Sequence, residues 1–498
     1  MIVGIDLGTT NSLVAFINKE GKPEIVINER GSRITPSVVY FKNDREVLVG
    51  ELARSQMILK ADRTVSAIKR QMGTAYKVSI GEHDYTPPEI SALILRKLVQ
   101  YTEKYLGRKV EAAVVTVPAY FNDNQRQATF LAGELAGLKI LKLLNEPTAA
   151  ALAYGARWQQ QEKVLVLDIG GGTFDITLME CQEGEYRVLC TGGSTSLGGI
   201  DFDRRLMQHV LDTFKETAGI DIGGDKVALQ QLELQAEKVK IDLSTVSECS
   251  LLIPYITLGP QGPVHLNQVI RRDQFEHLCR DLFEEIRSLI QQTLRKARIS
   301  SEEVDAVVLA GGASRMPGFQ EVVAEIFGRH KMRGEINPDE VVALGAAIEG
   351  GMLSGELENV NFYDATSHSL GVEDDQGNFV PLIPANTSYP VARSCLFTTV
   401  RDGQEEVIIH VLQRDELAEE GEPRKYISLG LFHLGGIKNA PAGEPNIDVT
   451  FAIDRSGILR VAAADLDTGT QKEVEITEVA YGDGRKLVSS PVKEFTVL

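Results

Sequence analysis

Two stretches of the chain repeat one pattern of apolar and polar positions. Residues 2–17 (IVGIDLGTTNSLVAFI) and 164–180 (VLVLDIGGGTFDITLME) each run through an apolar strand to an aspartate, then a glycine turn, then a returning alternation. Alternation with a period of two predicts strands, so each stretch is predicted to be a strand, a glycine turn and a strand. A dinucleotide fold would instead open a helix after its glycines. Two copies of one hairpin design predict two duplicated lobes that face each other.

The glycine turns carry the first candidate chemistry. Glycine reaches positive φ and has no Cβ, so successive backbone N–H groups can close around an anionic phosphate. Asp168, Thr173 and Asp175 flank the second turn, and Asp6 precedes the first. Carboxylates and a hydroxyl at this spacing suit a hydrated Mg²⁺ and an attacking water. The alternative is a tight hairpin whose acids have no chemical role, and the second copy favours two lobes around one nucleotide.

Helical periodicity predicts the elements that lie between these hairpins. Apolar residues three and four apart predict a helix over 88–105, and Asn122 after a proline break is a candidate N-cap. Long helices are predicted at about 272–297 and 339–353. Lys69 lies in a short polar segment and, by itself, predicts a solvated surface lysine.

The pattern changes at Glu356. Beyond it, helical periods give way to short alternating segments separated by turn clusters, which predicts an all-β sandwich or barrel-like module. Two α/β lobes are therefore expected over residues 1–356, a linker over 357–364 and a β module over 365–498 without a C-terminal helical bundle. The alternating segments are 395–400, 406–413, 426–434, 447–453 and 458–464.

Composition narrows the class of protein. A length of 498 residues allows about three domains, and 43% hydrophobic residues can supply a core for each. The formal charge of −18 disfavours sequence-independent binding to nucleic acid or to an anionic membrane. The chain has no apolar run of membrane-spanning length and no basic leader, so a cytoplasmic protein is expected. Five scattered cysteines suggest neither disulfides nor a zinc site.

Ordered motifs along nearly the whole chain resemble those of the heat-shock protein 70 (DnaK-like) chaperones. The resemblance implies a two-lobed actin-like (ribonuclease H-like) ATPase domain and an all-β sandwich that binds extended or unfolded polypeptides, without the family's helical lid. It implies ATP or ADP and Mg²⁺ as cofactors, with K⁺ as a further cation. J-domain co-chaperones and a nucleotide exchange factor are the implied partners, and stress response the implied setting. The motifs are GIDLGTTNS, AIKR, VPAYFND, NEPTAAALAYG, DIGGGTFD, LGG, AEKVKIDLS, AGGASRMP, NPDEVVALGAAIEGG and IHVLQ.

The resemblance also implies roles for individual residues. Lys69 would orient the water that attacks the γ-phosphate, and Thr173 would assist beside it. Asp6, Asp168 and Asp175 would order Mg²⁺ and its waters. The implied nucleotide-binding residues are Gly8, Thr9, Thr10, Asn11, Gly171, Gly172, Gly199, Glu237, Lys240, Ser244, Gly311, Gly312, Arg315 and Asp339.

The resemblance implies two further sets of functional residues. One links the nucleotide state to the β domain, and the other forms or flanks an apolar peptide pocket. Without the resemblance, the pocket residues would be predicted as sandwich core. The linking residues are Pro118, Arg126, Glu146 and Asp364, and the peptide-site residues are Val372, Asp375, Leu396, Phe397, Val400, Val407 and Ile409.

The chain departs from the family pattern at several positions. The linker reads VNFYD over 360–364 where the family has leucines before the aspartate. Lys142 stands where an arginine usually contacts J-domain partners, and Ile200 replaces an acid on the ribose side. Asp375 and Val400 occupy the positions of a methionine and an alanine that arch over the bound peptide. These departures predict weaker interdomain coupling and an acidic edge to the peptide site.

Two alternatives from other functional classes stay open at the level of sequence. A small-molecule kinase of the same fold would need a base near the γ-phosphate and gains nothing from a β module. A non-catalytic nucleotide-binding scaffold is disfavoured because Lys69, Thr173 and the aspartates are all present.

Overall fold

The computed structural model describes residues 1–155, 161–182, 184–260, 262–358, 360–414, 426–475 and 491–498. Residue 359 of the predicted linker and residues 415–425 and 476–490 of the predicted β module lie outside these ranges. All structural statements below refer to the described residues.

The first lobe is built on the predicted N-terminal hairpin. β1 and β2 pair antiparallel, and β10 and β11 extend the sheet in parallel on the other side of β1. Asn122 is the N-cap of α3, as predicted: its side chain accepts the Gln125 N–H at 2.9 Å. The elements are β1 (Ile2–Leu7), β2 (Asn11–Ile17), β3 (Pro23–Ile25), β4 (Thr35–Pro36), β5 (Val39–Phe41), β6 (Glu46–Val49), β7 (Thr64–Val65), β8 (Val78–Ile80), β9 (His83–Tyr85), β10 (Ala112–Val117), β11 (Ile140–Asn145), α1 (Glu51–Arg54), α2 (Pro87–Leu106), α3 (Asp123–Ala136) and α4 (Glu146–Ala153).

The second lobe repeats this design around the second hairpin. β12 and β13 pair antiparallel, with Asp168 opposite Asp175, and β17 joins β12 in parallel. The prediction of one helix at 272–297 was wrong, because Cys279 leaves helical geometry and separates two helices. The elements are β12 (Glu162–Ile169), β13 (Phe174–Gln182), β14 (Glu185–Ser194), β15 (Glu248–Gly259), β16 (Gly262–Arg271), β17 (Ala306–Ala310), β18 (Met332–Arg333), α5 (Gly199–Ala218), α6 (Lys226–Leu243), α7 (Arg272–Leu278), α8 (Arg280–Ala297), α9 (Pro317–Phe327) and α10 (Val341–Ser354).

Helix α10 joins the two lobes. It packs against β1 and α4 of the first lobe at a distance that only glycine permits. A Cβ at Gly345 would lie 1.7 Å from the Ala149 carbonyl oxygen, and a Cβ at Gly4 would lie 2.1 Å from the Ala347 nitrogen. This close packing fixes the first hairpin beside the second lobe, so that both glycine turns open into one cleft.

The β module is a sandwich of two antiparallel sheets, as the alternating segments predicted. One sheet has the order β21-β20-β24-β25 and the other β23-β26-β27-β28. Their inner faces meet in one core that includes Phe451 and Val461, both fully buried. Beyond Gly355, the described residues contain strands and a 3₁₀ turn but no α-helix. The strands are β19 (Asn361–Ala365), β20 (Ser369–Glu373), β21 (Phe379–Ile383), β22 (Ser388–Tyr389), β23 (Val391–Phe397), β24 (Glu406–Arg414), β25 (Tyr426–Gly435), β26 (Ile447–Ile453), β27 (Leu459–Asp465), β28 (Gln471–Glu475) and β29 (Thr496–Val497).

The segment that enters the β sandwich is itself a strand. β19 pairs in parallel with β14 over Glu185–Arg187 and antiparallel with β22, so it extends the sheet of the second lobe. The last strand also leaves the sandwich, because β29 pairs with β6 of the first lobe. The sequence pattern assigned both segments to the linker or the β module and gave no indication of either pairing.

Candidate functional site

The two glycine turns face a cavity of about 330 Å³ between the lobes. It brings together nearly all of the predicted catalytic and nucleotide-binding residues, with Ile200 also on its wall. Gly172 and Asp175 are the predicted residues outside this lining. The predicted residues that line it are Asp6, Gly8, Thr9, Thr10, Asn11, Lys69, Glu146, Asp168, Gly171, Thr173, Gly199, Glu237, Lys240, Ser244, Gly311, Gly312, Arg315 and Asp339.

The glycines of the second turn let the two hairpins touch. A Cβ at Gly171 would lie 1.8 Å from Thr10 Oγ1, and a Cβ at Gly172 would lie 2.5 Å from Thr9 Oγ1. A side chain at either position would therefore force Thr9 or Thr10 to move. The result is a cavity wall of glycine backbone and threonine side chains, on which the buried Thr10 Oγ1 has no hydrogen-bond partner within the described residues. Such a wall suits a chain of phosphate groups.

Lys69 is buried, so the interpretation of it as a solvated surface lysine was wrong. It lies on a short 3₁₀ turn, Ile68–Gln71, and its Nζ is 2.6 Å from Glu146 Oε1. Only 6% of the Lys69 side chain and 9% of the Glu146 side chain are exposed. The Nζ also lies 5.7 Å from the centre of the Phe121 ring. The pair links a predicted catalytic residue directly to a predicted linking residue.

Three buried carboxyl groups surround this ion pair. Burial, followed by the charge of Glu146, raises the pKa of Asp6 and that of Asp175 to about 7. The same two causes raise the pKa of Asp168 well above its usual value. Asp6 Oδ1 accepts the Thr116 hydroxyl at 3.2 Å, and Asp175 Oδ1 accepts the Tyr120 N–H at 2.9 Å. The carboxylates thus lie in a region that is short of positive charge.

These groups fit a hydrated Mg²⁺. Carboxylate oxygens are the ligands that Mg²⁺ prefers, and the buried Asp175 Oδ2 has no hydrogen-bond partner within the described residues. No group of three or more His, Cys, Asp or Glu side chains in that part of the chain is arranged to hold a metal ion alone. Phosphate oxygens and water would therefore have to complete the ligand shell around Asp6, Asp168 and Asp175.

Charged pairs shape the wall of the cavity that the second lobe provides. Lys240 Nζ donates to Asp203 Oδ2 at 2.7 Å and to the Gly199 carbonyl at 2.9 Å, which orients the start of α5. Arg315 Nη2 donates to Asp339 Oδ2 at 2.8 Å. These contacts fix the predicted nucleotide-binding residues on the second lobe.

Two ion pairs bridge the lobes across the cleft. Arg54 on α1 pairs with Glu237 on α6, and Arg70 pairs with Asp201 at the start of α5. Arg70 Nε also donates to the Gly172 carbonyl at 3.1 Å. Arg70 therefore ties the segment that carries Lys69 to the second glycine turn. The two partners of each pair lie on different lobes and far apart along the chain. Local sequence patterns do not show such pairs, so neither was predicted.

Two of the predicted linking residues, Arg126 and Asp364, meet at Asn145. Arg126 Nη2 donates to Asn145 Oδ1 at 2.6 Å, and Asn145 Nδ2 donates to Asp364 Oδ2 at 2.7 Å. Arg126 also reaches the carbonyl of Ala119, the residue after the buried Pro118. Asn145 was not predicted, although it lies within the NEP motif and immediately precedes Glu146 on the chain.

The β sandwich contacts the first lobe beside this network. Asp123 Oδ1 accepts the Leu459 N–H at 3.2 Å, and the Asp123 N–H donates to Gln413 Oε1 at 3.2 Å. His368 Nε2 donates to the Tyr120 carbonyl at 3.2 Å. Burial raises the pKa of Asp123 to about 6. The sandwich is therefore docked on the first lobe by side chains, in addition to the pairing of the linker strand with the second lobe.

The Hsp70 protein family model matches residues 2–80 and 75–487. A protein named Chaperone protein DnaK from Thermotoga petrophila is 48% identical over 482 residues, which is 96% of this chain and 80% of that protein. One of the same name from Thermosipho africanus is 46% identical over 500 residues, 99% of this chain and 83% of its own length. The chain belongs to the Hsp70 family.

As a member of the Hsp70 family, the protein is a chaperone and an ATPase. The relatives do not favour the small-molecule kinase or the nucleotide-binding scaffold. Within the described ranges, no helix is long and apolar enough to cross a membrane.

The predicted peptide-site residues of this Hsp70 do not share one environment. Val372 and Ile409 are buried in the sandwich core, and Phe397 and Val407 pack against that core. The other three, Asp375, Leu396 and Val400, are exposed on the sandwich surface. The structure therefore gathers four of the seven and leaves three on the outside.

Proposed function

We propose that the cleft binds ATP with Mg²⁺ and hydrolyses it, and that the nucleotide state sets how firmly the β domain docks. The observation that carries this proposal is a path of contacts. Lys69 pairs with Glu146, and the adjacent Asn145 binds Asp364 of the linker strand. A nucleotide that moves Lys69 would therefore act on Glu146. Glu146 is the chain neighbour of Asn145, which holds Asp364 of the linker strand.

Lys69 is suited to orient an attacking water. One of its three N–H donors goes to Glu146, which leaves donors for a water or a phosphate oxygen. Because the ammonium is buried, its charge is weakly screened and can stabilise charge that develops on the γ-phosphate. The Thr173 hydroxyl, on the same cavity wall, would assist in placing the water.

The glycine turns would hold the phosphates. Backbone amides of both turns and the hydroxyls of Thr9 and Thr10 would supply donors. Asp6 and Asp168 on the cavity wall, with Asp175 opposite Asp168 in the hairpin, would hold Mg²⁺ through its waters. Bound Mg²⁺ supplies charge neutralisation for the phosphates. K⁺ is proposed as a further cation near the same carboxylates.

We infer that the β domain binds extended or unfolded polypeptide segments through the predicted peptide-site residues. Leu396 and Val400 among them are exposed, and Phe397 and Val407 are partly buried against the core that holds Val372 and Ile409. A J-domain co-chaperone and a nucleotide exchange factor are proposed as partners in the cytoplasm. The division into an ATPase domain at 1–356, a linker at 357–364 and a peptide-binding sandwich at 365–498 is part of the same proposal.

The test is ATP turnover with and without an unfolded polypeptide. Lys69→Ala should bind ATP and lose about 100-fold or more in turnover, because positioning and charge stabilisation carry catalysis. Lys77→Ala, at an exposed position on the same lobe, is the matched control and should retain the parental rate. Parental turnover in Lys69→Ala would remove the assignment, and no response to polypeptide would remove the coupling.

A further inference from the structure

Residues 491–498, which follow the β sandwich in the chain, are attached to the first lobe. We call residues 491–498 the C-terminal strap; they follow residue 487, where the match to the Hsp70 family model ends. Val492, Phe495 and Val497 are all buried, with 0%, 4% and 5% of their surface exposed, and they belong to the core cluster of the first lobe. A segment that lay loosely on the surface would leave these apolar side chains in water.

Backbone groups of the strap are bonded to the lobe along its length. The Thr496 N–H donates to the Arg45 carbonyl at 2.8 Å, and the Leu498 N–H donates to the Val47 carbonyl at 2.9 Å. Upstream of this ladder, the Arg96 guanidinium donates to the carbonyls of Val492 and Phe495 at 2.7 and 2.8 Å. Arg96 thus satisfies carbonyl groups of the strap that precede the strand pairing.

An aromatic pocket fixes the register of the strap. The Phe495 ring lies 5.5 Å from that of Phe41 and 6.1 Å from that of Tyr85, both in edge-to-face geometry. Such pairs add about 0.5–1.5 kcal/mol to the gain from burial. The Phe495 ring therefore anchors the strap to the first lobe at one defined position.

We propose that the strap is an intramolecular ligand of the first lobe that holds the β sandwich in its docked position. The linker strand β19 fixes the start of the sandwich to the second lobe, whereas the strap fixes the chain that follows β28 to the first lobe. The sandwich is thus tied at both of its chain ends, and to different lobes. A tether of this kind raises the effective concentration of the sandwich at the docking surface. The inference concerns docking and stands apart from the nucleotide chemistry proposed above.

The test compares hydrogen exchange in the full chain without nucleotide. Phe495→Ala removes the aromatic anchor, and Thr496→Ala, at the exposed neighbouring position, is the matched control. In Phe495→Ala, the amides of Thr496 and Leu498 should exchange about tenfold faster or more, and the docking amides of Asp123 and Leu459 should also exchange faster. Thr496→Ala should leave both sets unchanged.

Each other outcome overturns the proposal. Faster exchange in the strap with unchanged exchange at Asp123 and Leu459 would mean that the strap does not hold the sandwich. Unchanged exchange everywhere would mean that it is not seated by Phe495. If Phe495→Ala folds poorly, Arg96→Gln takes its place, because it leaves the strap sequence intact. Arg96→Gln should then show faster exchange both in the strap and at the amides of Asp123 and Leu459. A parental chain that is a dimer, with strap protection lost on dilution, would mean that the strap binds a second copy instead.

Discussion

Lys69 and Glu146 form an ion pair at 2.6 Å inside the cleft, and both side chains are almost fully buried. Lys69 lines the cavity, and Glu146 begins helix α4, which follows Asn145. The pair therefore joins the cleft to the residue that follows Asn145, whose side chain binds Asp364 of the linker strand.

Removing one member of this ion pair should cost more in the free energy of unfolding than replacing both members. Lys69→Ala leaves the Glu146 carboxylate buried and unpaired, which costs about 3–5 kcal/mol in the free energy of unfolding. The double variant Lys69→Ala with Glu146→Gln removes that charge and should regain part of the loss. Thermal unfolding of both variants and of Glu146→Gln measures the coupling, and strictly additive effects would show that the two side chains act independently.

Docking of the sandwich should strengthen as the pH falls toward 5. Burial in the docked state raises the pKa of Asp123 to about 6, so the docked state binds a proton more tightly than an undocked, solvated carboxyl does. Protonation therefore favours docking, by up to about tenfold per pH unit between about pH 6 and the ordinary aspartate pKa of 3.8. Above about pH 6 both carboxyl forms are ionised, and docking no longer changes with pH. Arg126 opposes the shift of this pKa, and Asp454 adds to it.

The variant Asp123→Asn distinguishes the contribution of the Asp123 carboxyl to this pH dependence from that of other groups at the interface. It should flatten most of the pH dependence in hydrogen exchange at the Leu459 amide. Buried Asp364, whose pKa is also raised by burial, acts in the same direction and leaves a residual slope. An unchanged profile in Asp123→Asn would assign the whole dependence to other groups.

Removal of divalent cations should weaken ATP binding by about tenfold or more, because phosphate charge would then face Asp6, Asp168 and Asp175 without a counter-ion. Calorimetric titration of ATP in Mg²⁺ and in EDTA measures the difference. Asp175→Asn removes the charge of the carboxyl that has an unpartnered oxygen, and should shrink the gap between the two conditions. Equal ATP affinity with and without Mg²⁺ would contradict the assignment.

Lys142 should limit stimulation by a J-domain partner. Its Nζ lies 2.6 Å from Glu349 Oε1, and an ammonium gives a point charge where an arginine gives a planar fork. Lys142→Arg should raise the stimulated ATPase rate several-fold and leave the basal rate unchanged. Lys139→Arg, at an exposed position nearby, is the control. The argument fails if stimulation is the same in both variants.

Peptides with basic flanks should bind better than matched peptides with acidic flanks. Asp375 is exposed on the sandwich surface, so its effect is screened and amounts to about 1 kcal/mol or less. Stopped-flow binding at low and high salt should show the preference fade as salt rises. Asp375→Met should abolish it, whereas Glu405→Gln should not; a preference that survives in Asp375→Met has another source.

The sequence predicted what local patterns encode. Glycine turns beside aspartates predicted both hairpins, and strand alternation predicted the segments of the sandwich, because a period of two depends only on neighbours along the chain. Burial of Lys69 was not predictable in this way, since its partner Glu146 lies far away along the chain. The pairing of β29 with β6 was missed for the same reason: alternation predicts a strand but never its partner.

The pairing of β19 with β14 also determines what undocking would expose. Without the linker strand, β14 becomes an edge strand with unpaired N–H and C=O groups over Glu185–Arg187. Such an edge can template the addition of a strand from another chain. Glu185 and Arg187 place charges of opposite sign on this edge, and charged side chains are a means by which proteins resist such pairing. The linker thus also serves as a protective cover, and its release would make self-association of the ATPase lobes depend on those two charges.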